Sequence, residues 1–592
     1  MKRSLTFCIA TASVLALGVA CGADRPEFVP PPSFPDASAG DDASECLLQC
    51  SLDRRAVIRS CTGEVVTECP LDTACGAGAC QEPCEAAAAE RSSNGCEFYF
   101  QPPRFSKVAP QGCYAAFIVN TSTAPAEVSF ELEGKPLDVS KAMFRTNPGD
   151  ATLIPHEGPI PPGESAILFV SERDPEEPHP PVELGYVACP DGVVTPTFVD
   201  PVPRGTGFGT SFHLVTNVPV GISAIYPFGG APSYHPAATL LFPVRSWAQE
   251  HIVVNGWELG DDGAPGAQIV ASEDDTEVTI FPKRDLQDGV GLKGSRAGSP
   301  SKFRLAKGQH LQIVQADELT GSVVTSTKPT SIVGGHACAD IPSSGGACDT
   351  LAQEIPPFER WGSEYVAAGY RPRLGNEHEP MPYRIVAARD GTRLDYDPAV
   401  PPGAPVTMNA GEMFTFKAGT GDAFVVRTQD VDHPIYLAAY MSGGDAAGGG
   451  DTSYGSYGGR GDPEFVNVVP AGQYMSSYSF YADPTYAETS LVVIRAKSGG
   501  RFEDVWLECA GNLTGFRPIG TRGEYEWVRV DLSREHGPGD TFGASACRSG
   551  LQRMRSNGPF TATLWGWDAF ASYAYPGGMA QRRLVKTPLD IK

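Results

Sequence analysis

Histidine is scarce in this sequence, at 10 of 592 residues, and positive charge falls well short of negative, with 46 Lys plus Arg against 70 Asp plus Glu and a formal net charge of −24. The deficit excludes a nucleic-acid role, because phosphate binding needs a positive footprint. No His-Glu-x-x-His zinc motif, Gly-x-Ser-x-Gly nucleophile elbow or phosphate-binding loop is present, so the chain is not expected to be an enzyme. No cofactor or metal site is expected either, since paired C-x₂-C knuckles are missing. Beyond one N-terminal stretch, no apolar run reaches the eighteen residues a membrane helix needs.

That stretch reads as an address. Lys2 and Arg3 precede an apolar segment from Leu5 to Val19, and Leu17-Gly18-Val19-Ala20-Cys21 then fits a lipoprotein box. Gly18 stands where such a box usually has Leu, and simple secretory cleavage at the same residues is the alternative. Cysteine parity favours acylation of Cys21: removing Cys8 with the signal and Cys21 by lipidation leaves fourteen of the 16 cysteines, an even number that can pair completely. The expected location is the cell envelope, as an outer-membrane-anchored lipoprotein facing the extracellular side or the periplasm. Residues 22–45 are a Pro/Asp/Ala tether with almost nothing to bury.

Eight cysteines follow in a short span: Cys46, Cys50, Cys61, Cys69, Cys75, Cys80, Cys84 and Cys96. So small a segment cannot build an adequate core, and crosslinks replace it; the pairing is not legible. Further on, Cys338 and Cys348 share one loop and Cys509 and Cys547 share one repeat, whereas Cys113 and Cys189 have Cys96 as a rival partner for either.

The rest is rich in glycine (66) and proline (53) and repeats itself. A Pro-x₃-aromatic-x₃-[His/Tyr] pattern occurs at Pro243–Trp247–His251, Pro357–Trp361–Tyr365 and Pro470–Tyr474–Tyr478. Apolar pairs (Ile118-Val119, Ile269-Val270, Ile385-Val386, Val493-Ile494), Gly-Glu/Gln steps (Gly163-Glu164, Gly308-Gln309, Gly411-Glu412, Gly523-Glu524) and Pro-started strands (Pro219, Pro329, Pro434, Pro559) follow in order. Alternating runs such as Glu412–Phe416, broken by Gly or Pro every 8–12 residues, predict sandwich strands. The expected fold is all-β: a tandem array of four related β-sandwich-like repeats behind a small disulfide-rich module, with a closed propeller-like array as the alternative. The expected divisions are a signal at 1–21, tether 22–45, Cys-rich module 46–94, and repeats at 95–232, 233–342, 343–444 and 464–577. A Gly-rich loop at 445–463 and a tail at 578–592 complete the chain.

The segment Gly205–Val220 followed by Ile225-Tyr-Pro-Phe-Gly-Gly230, with Gly95-Cys96-Glu-Phe and Phe117-Ile-Val-Asn-Thr, resembles the IgGFc-binding protein N-terminal domain family, in particular bacterial, myxobacterial-type surface lipoproteins. The resemblance spans about residues 95–577 and is strongest over 95–260. It implies extracellular, non-enzymatic binding and supplies no catalytic residue; binding of immunoglobulin Fc is not carried over to a chain with a bacterial lipobox. The partners expected are the membrane, through the lipid, and an extracellular protein or polysaccharide met by multivalent contact. An envelope-structural protein is the alternative; a secreted hydrolase, less favoured, requires a deep cleft with two convergent acids.

Single features carry less. The acids Asp261-Asp262, Glu273-Asp274-Asp275 and Asp430 with Asp432 read as solvated turn charge, with calcium as the alternative. Arg460-Gly461-Asp462 reads as turn chemistry rather than an adhesion peptide. Tyr454 and Tyr457 could serve as contact residues, and Trp247, Trp361, Trp565 and Trp567 read as core or seam packing. His213, His251 and His310 fall inside strand patterns, where one edge is expected to face solvent. Asn120 and Asn512 begin glycosylation sequons.

Overall fold

Period-two alternation becomes strands throughout: Thr276–Phe281 buries every second residue and so does Ser301–Leu305. The computed structural model describes residues 47–51, 53–105, 110–177, 185–445 and 451–591. The signal, the tether, Cys21 and Cys46 lie outside the described residues.

One pairing pattern recurs four times. In the second unit, Ala248–Ile252 and Thr276–Phe281 flank the first half of the long strand Val323–Ala339. Pro265–Ala271 and Asp349–Ile355 flank its second half, and Pro265–Ala271 also pairs with Gln309–Val314. The first unit repeats this around Phe212–Tyr226, with Gly95–Phe100 and Val128–Leu132 on the first half and Tyr114–Asn120 and Ala237–Leu240 on the second. The fourth repeats it around Gly550–Asp568, with Met475–Ala482 and Val505–Leu507, then Glu488–Ala496 and Ala571–Pro576. In the third unit the long strand is broken into Phe424–Thr428 and Ile435–Met441, and two four-stranded sheets result. Each unit is thus a two-layer β structure, curled into one sheet wherever the long strand runs on through the bend.

The prolines expected to start strands sit at that bend, and in three units they lie inside the long strand. Proline donates no N–H, so it is tolerated only where the ladder is interrupted. The register shifts there: between Val215 and Val220, between the partners of Ala248 and Glu250, and between those of Met475 and Ser477.

The units close on themselves. Their last strands, Ala237–Leu240, Asp349–Ile355, Glu464–Asn467 and Ala571–Pro576, pack around one axis. Gln353 reaches across it, donating to the carbonyls of Ala238 (2.8 Å) and Ala574 (2.9 Å). Asn467 donates to the Glu354 carbonyl at 2.9 Å. The segment just ahead of the first unit meets the one just behind the fourth where Ser93 N–H donates to Met579 O (2.8 Å), and the rings of Phe117 in the first unit and Tyr481 in the fourth stack at 4.6 Å. One apolar cluster includes Phe117, Val270, Tyr383 and Leu491, one residue from each unit. The tandem array is therefore a ring, combining the sandwich-like unit with the closed arrangement. The last strands of the first three units lie one step later than the sequence divisions: Ala237–Leu240 falls in 233–342 but pairs with the long strand of the first unit.

Strand exchange adds to the closure. Gly207–Thr210, just before the first unit's long strand, pairs with Gln309–Val314 of the second.

Disulfides join Cys50–Cys75, Cys69–Cys80, Cys84–Cys96, Cys113–Cys189, Cys338–Cys348 and Cys509–Cys547, and Cys61 is also disulfide-bonded. Cys84–Cys96 ties the helix Pro83–Glu90 to the first strand of the ring.

Candidate functional site

The seam between the third and fourth units opens into a groove of about 780 Å³. Its floor is apolar, built from Ala418, Phe424 and Trp527, and one wall is the run Pro398–Pro402. A proline run has little conformational freedom to lose, so this wall is stiff before any ligand arrives.

The walls are locked together beneath the groove. The Asp397 carboxylate accepts from Thr521 N–H and Oγ1 at 2.8 Å each, fixing the loop that carries Arg517 to the third unit. Arg529 of the fourth unit donates to the carbonyls of Gly369 (2.9 Å) and Thr420 (2.7 Å) and pairs with Glu377 at 3.0 Å. Arg529 and Arg517 cover the Trp527 ring, at 4.7 and 4.0 Å, leaving Trp527 as floor rather than as a free stacking platform.

Polar groups mark the rim. Lys417 Nζ donates to Ser453 Oγ at 2.6 Å and lies 3.9 Å over the Tyr454 ring. The Ser453 hydroxyl is itself directed to Asp451 (2.5 Å), as part of a helix cap. His378 Nδ1 contacts both Asp422 oxygens, at 2.9 and 3.1 Å. Asp422 supplies the one carboxylate among the groove's lining residues, so the groove holds no pair of convergent acids of the kind hydrolysis requires. Two cationic side chains, Lys417 and Arg517 (the latter 3.7 Å from Glu377), on an apolar trough suit an extended ligand carrying negative charge.

A second groove, of about 660 Å³, lies at the seam of the first and fourth units. Arg145, Arg548 and Arg553 line it, and Arg553 is engaged by Glu508 (2.8 Å) and Glu164 (3.3 Å).

The residues singled out in sequence fall elsewhere. Trp247, Trp361, Trp565 and Trp567 are buried, and the indole N–H groups of Trp247 and Trp361 donate to the carbonyls of Phe242 (3.1 Å) and Pro356 (3.0 Å), five residues back in each case. Tyr454 and Tyr457 are buried rather than displayed, because Arg373 stacks on Tyr457 at 3.6 Å. Asp462 is 1% exposed, which closes Arg460-Gly461-Asp462 to any adhesion receptor. His251 and His310 are fully enclosed, and burial lowers their pKa to about 4 and about 3, so neither shows the solvent edge expected of it. His213 stacks on Tyr99 at 4.1 Å between Glu131 (2.6 Å) and Glu97 (3.0 Å). Asn120 is buried, donating to the Ala124 and Ile160 carbonyls, so this sequon is inaccessible. Asp430 caps its own turn through the N–H groups of Asp432 and His433, and Asp275 pairs with Arg304 at 2.8 Å.

The groove residues carried no motif. Only the seam brings Pro398, Lys417 and Arg517 together, so no local spacing could have marked them.

A family model described as IgGFc binding protein matches residues 237–566, more than half of the chain. The chain belongs to the IgGFc-binding protein family. The match begins at the first unit's last strand, after the Gly205–Gly230 segment that carried the resemblance, and it encloses the seam groove. The human IgGFc-binding protein is 24% identical over 267 residues, which cover 44% of this chain and 4% of that protein; the chain spans a small fraction of that relative's length. The family is one of binding proteins rather than catalysts. Its membership and the disulfides fit a secreted or surface chain. No helix among the described residues is long and apolar enough to cross a membrane.

Proposed function

We propose that this chain is a non-enzymatic, lipid-anchored cell-surface protein that binds an extracellular protein or polysaccharide in the groove between its third and fourth units. The groove carries the reading: a preformed apolar trough with a stiff proline wall and cationic rim, inside the matched region, is built to bind and lacks paired acids to cleave. In this account Cys21 is acylated, and residues 22–45 tether the ring to the membrane. Strand pairing supports unit limits at 95–242, 243–355, 356–469 and 470–577.

The test immobilises residues 46–592 and screens extracellular glycoproteins and acidic polysaccharides, with the immunoglobulin G Fc fragment included because the human relative's name says that it binds it. Binding that weakens at least tenfold in Lys417→Glu and Arg517→Glu supports the groove. Binding unaffected by both charge reversals contradicts it. Separately, Cys21→Ala is expected to release the protein from the membrane fraction.

A further inference from the structure

The second groove, at the seam of the first and fourth units, gathers positive charge on a chain whose formal net charge is −24. The two acids that line it are both spent on one arginine: Glu508 meets Arg553 with both carboxylate oxygens at 2.8 Å, and Glu164 lies 3.3 Å from the same guanidinium. Arg553 is further fixed by donating from Nε to the Gly163 carbonyl at 3.1 Å. Arg145 of the first unit and Arg548 of the fourth are left over. Both are exposed, and neither guanidinium has a hydrogen bond or an ion pair among the described residues.

A lone exposed arginine is ordinarily just solvated; here the seam holds the pair in place. Gly149 N–H of the first unit donates to the Ser549 carbonyl at 2.9 Å, and a Cβ on Gly149 would lie 3.1 Å from the Cβ of Arg548, so the stem of that arginine runs against the neighbouring unit's backbone. The hydroxyls of Thr146 and Tyr481 meet across the seam at 2.5 Å, and the Cys509–Cys547 bridge pins the chain that leads into Arg548. The groove is therefore shaped before a ligand arrives. Within its lining, Gln552 is 4% exposed. Its Nε2 donates to the carbonyls of Arg548 (2.7 Å) and Gly550 (3.2 Å), which leaves Oε1 with no donor. An amide oxygen in so buried a residue calls for one.

We propose that this second groove binds an acidic polysaccharide, with Arg145 and Arg548 taking its sulfate or carboxylate groups and Gln552 accepting from a ring hydroxyl. Guanidinium forks make charge-assisted, bidentate hydrogen bonds to such oxyanions. A sugar carrying acidic substituents offers the anion and the hydroxyl donor on one ring, whereas an acidic side chain of a peptide offers the anion alone. The surrounding negative charge of the chain repels polyanions everywhere else, so binding would be confined to this seam. The site is separate from the groove between the third and fourth units and goes beyond the function proposed for that groove.

The test uses residues 46–592 carrying Lys417→Glu and Arg517→Glu, so that the other groove cannot contribute and its failure cannot be mistaken for this one's. Fluorescent oligosaccharides are titrated by anisotropy in about 0.1 M salt, where charges more than ~10 Å apart are largely screened. One set is sulfated dextran, without uronate, and the other is oligogalacturonate, without sulfate. Saturable binding of at least one is expected, and the one bound names the anionic group. Adding Arg145→Ala and Arg548→Ala, both at exposed positions, should weaken that binding at least tenfold with Tm unchanged. No saturable binding of either sugar would overturn the proposal, as would binding undiminished by the two added substitutions. Oligoglutamate that binds as tightly as the sugars, and is lost with the same two arginines, would overturn it in favour of an acidic peptide.

Discussion

Tyr478 donates its hydroxyl to the carbonyl of Phe560, 82 residues away, at 2.6 Å. The same bond joins Tyr365 to Ile435 at 2.6 Å, and in both units the phenol oxygen also accepts a backbone N–H, from Met475 (3.0 Å) and from Gly362 (3.1 Å). His251 holds the position in the second unit, contacting Thr330 Oγ1 at 3.2 Å. One polar tip thus pins the first strand of a unit to the bend of its long strand, where the ladder is interrupted.

Tyr478→Phe leaves a buried carbonyl and a backbone N–H without this partner. The expected loss is about 1–3 kcal/mol, read as a lower midpoint in urea. Tyr365→Phe should cost a similar amount, because its pair of bonds is equivalent.

Much of this was legible. The Pro-x₃-aromatic pattern marks a 3₁₀ turn, Val244–Ser246, Phe358–Arg360 or Ala471–Gln473, that delivers each chain into its next unit. Its recurrence is what exposed the repeats. Closure stood in the sequence only as the alternative, because backbone groups such as Ser93 N–H and Met579 O help to make it, and any sequence offers those. The fates of Tyr457 and Asp462 were hidden for a related reason: Arg373, distant in sequence, buries the tyrosine, and a glycine-rich composition alone suggests a displayed loop.

Glu354, enclosed at the axis, accepts from Phe242 N–H at 2.7 Å and from the Ser331 hydroxyl. Burial pushes its pKa up to about 8. A folded pKa above the unfolded value of about 4.3 means stability that is complete at low pH and lost as pH rises through 8. Thermal melts should show Tm falling between about pH 4 and pH 8 and levelling above it, with a shallower fall in Glu354→Gln.

Arg384 and Glu318 join the second and third units at 2.7 Å, and the arginine side chain is 2% exposed. Glu318→Ala strands that guanidinium, although its face still rests on Trp257 at 4.0 Å. The expected cost is about 3–5 kcal/mol, and urea unfolding of the variant against its parent measures it.

Cys113–Cys189 closes a loop with a sequence separation of 76. Replacing both by alanine should destabilise the first unit by roughly 4 kcal/mol through the freed unfolded chain. Limited proteolysis should then cut first within residues 113–189.

Small-angle scattering from residues 46–592 tests ring closure most directly. A closed ring of this size predicts a radius of gyration of about 24 Å by the scaling for compact domains, with a pair-distance distribution of one peak. A radius well above ~35 Å, with an extended tail of long distances, would show four units strung in a line and contradict the shared axis on which the seam groove depends.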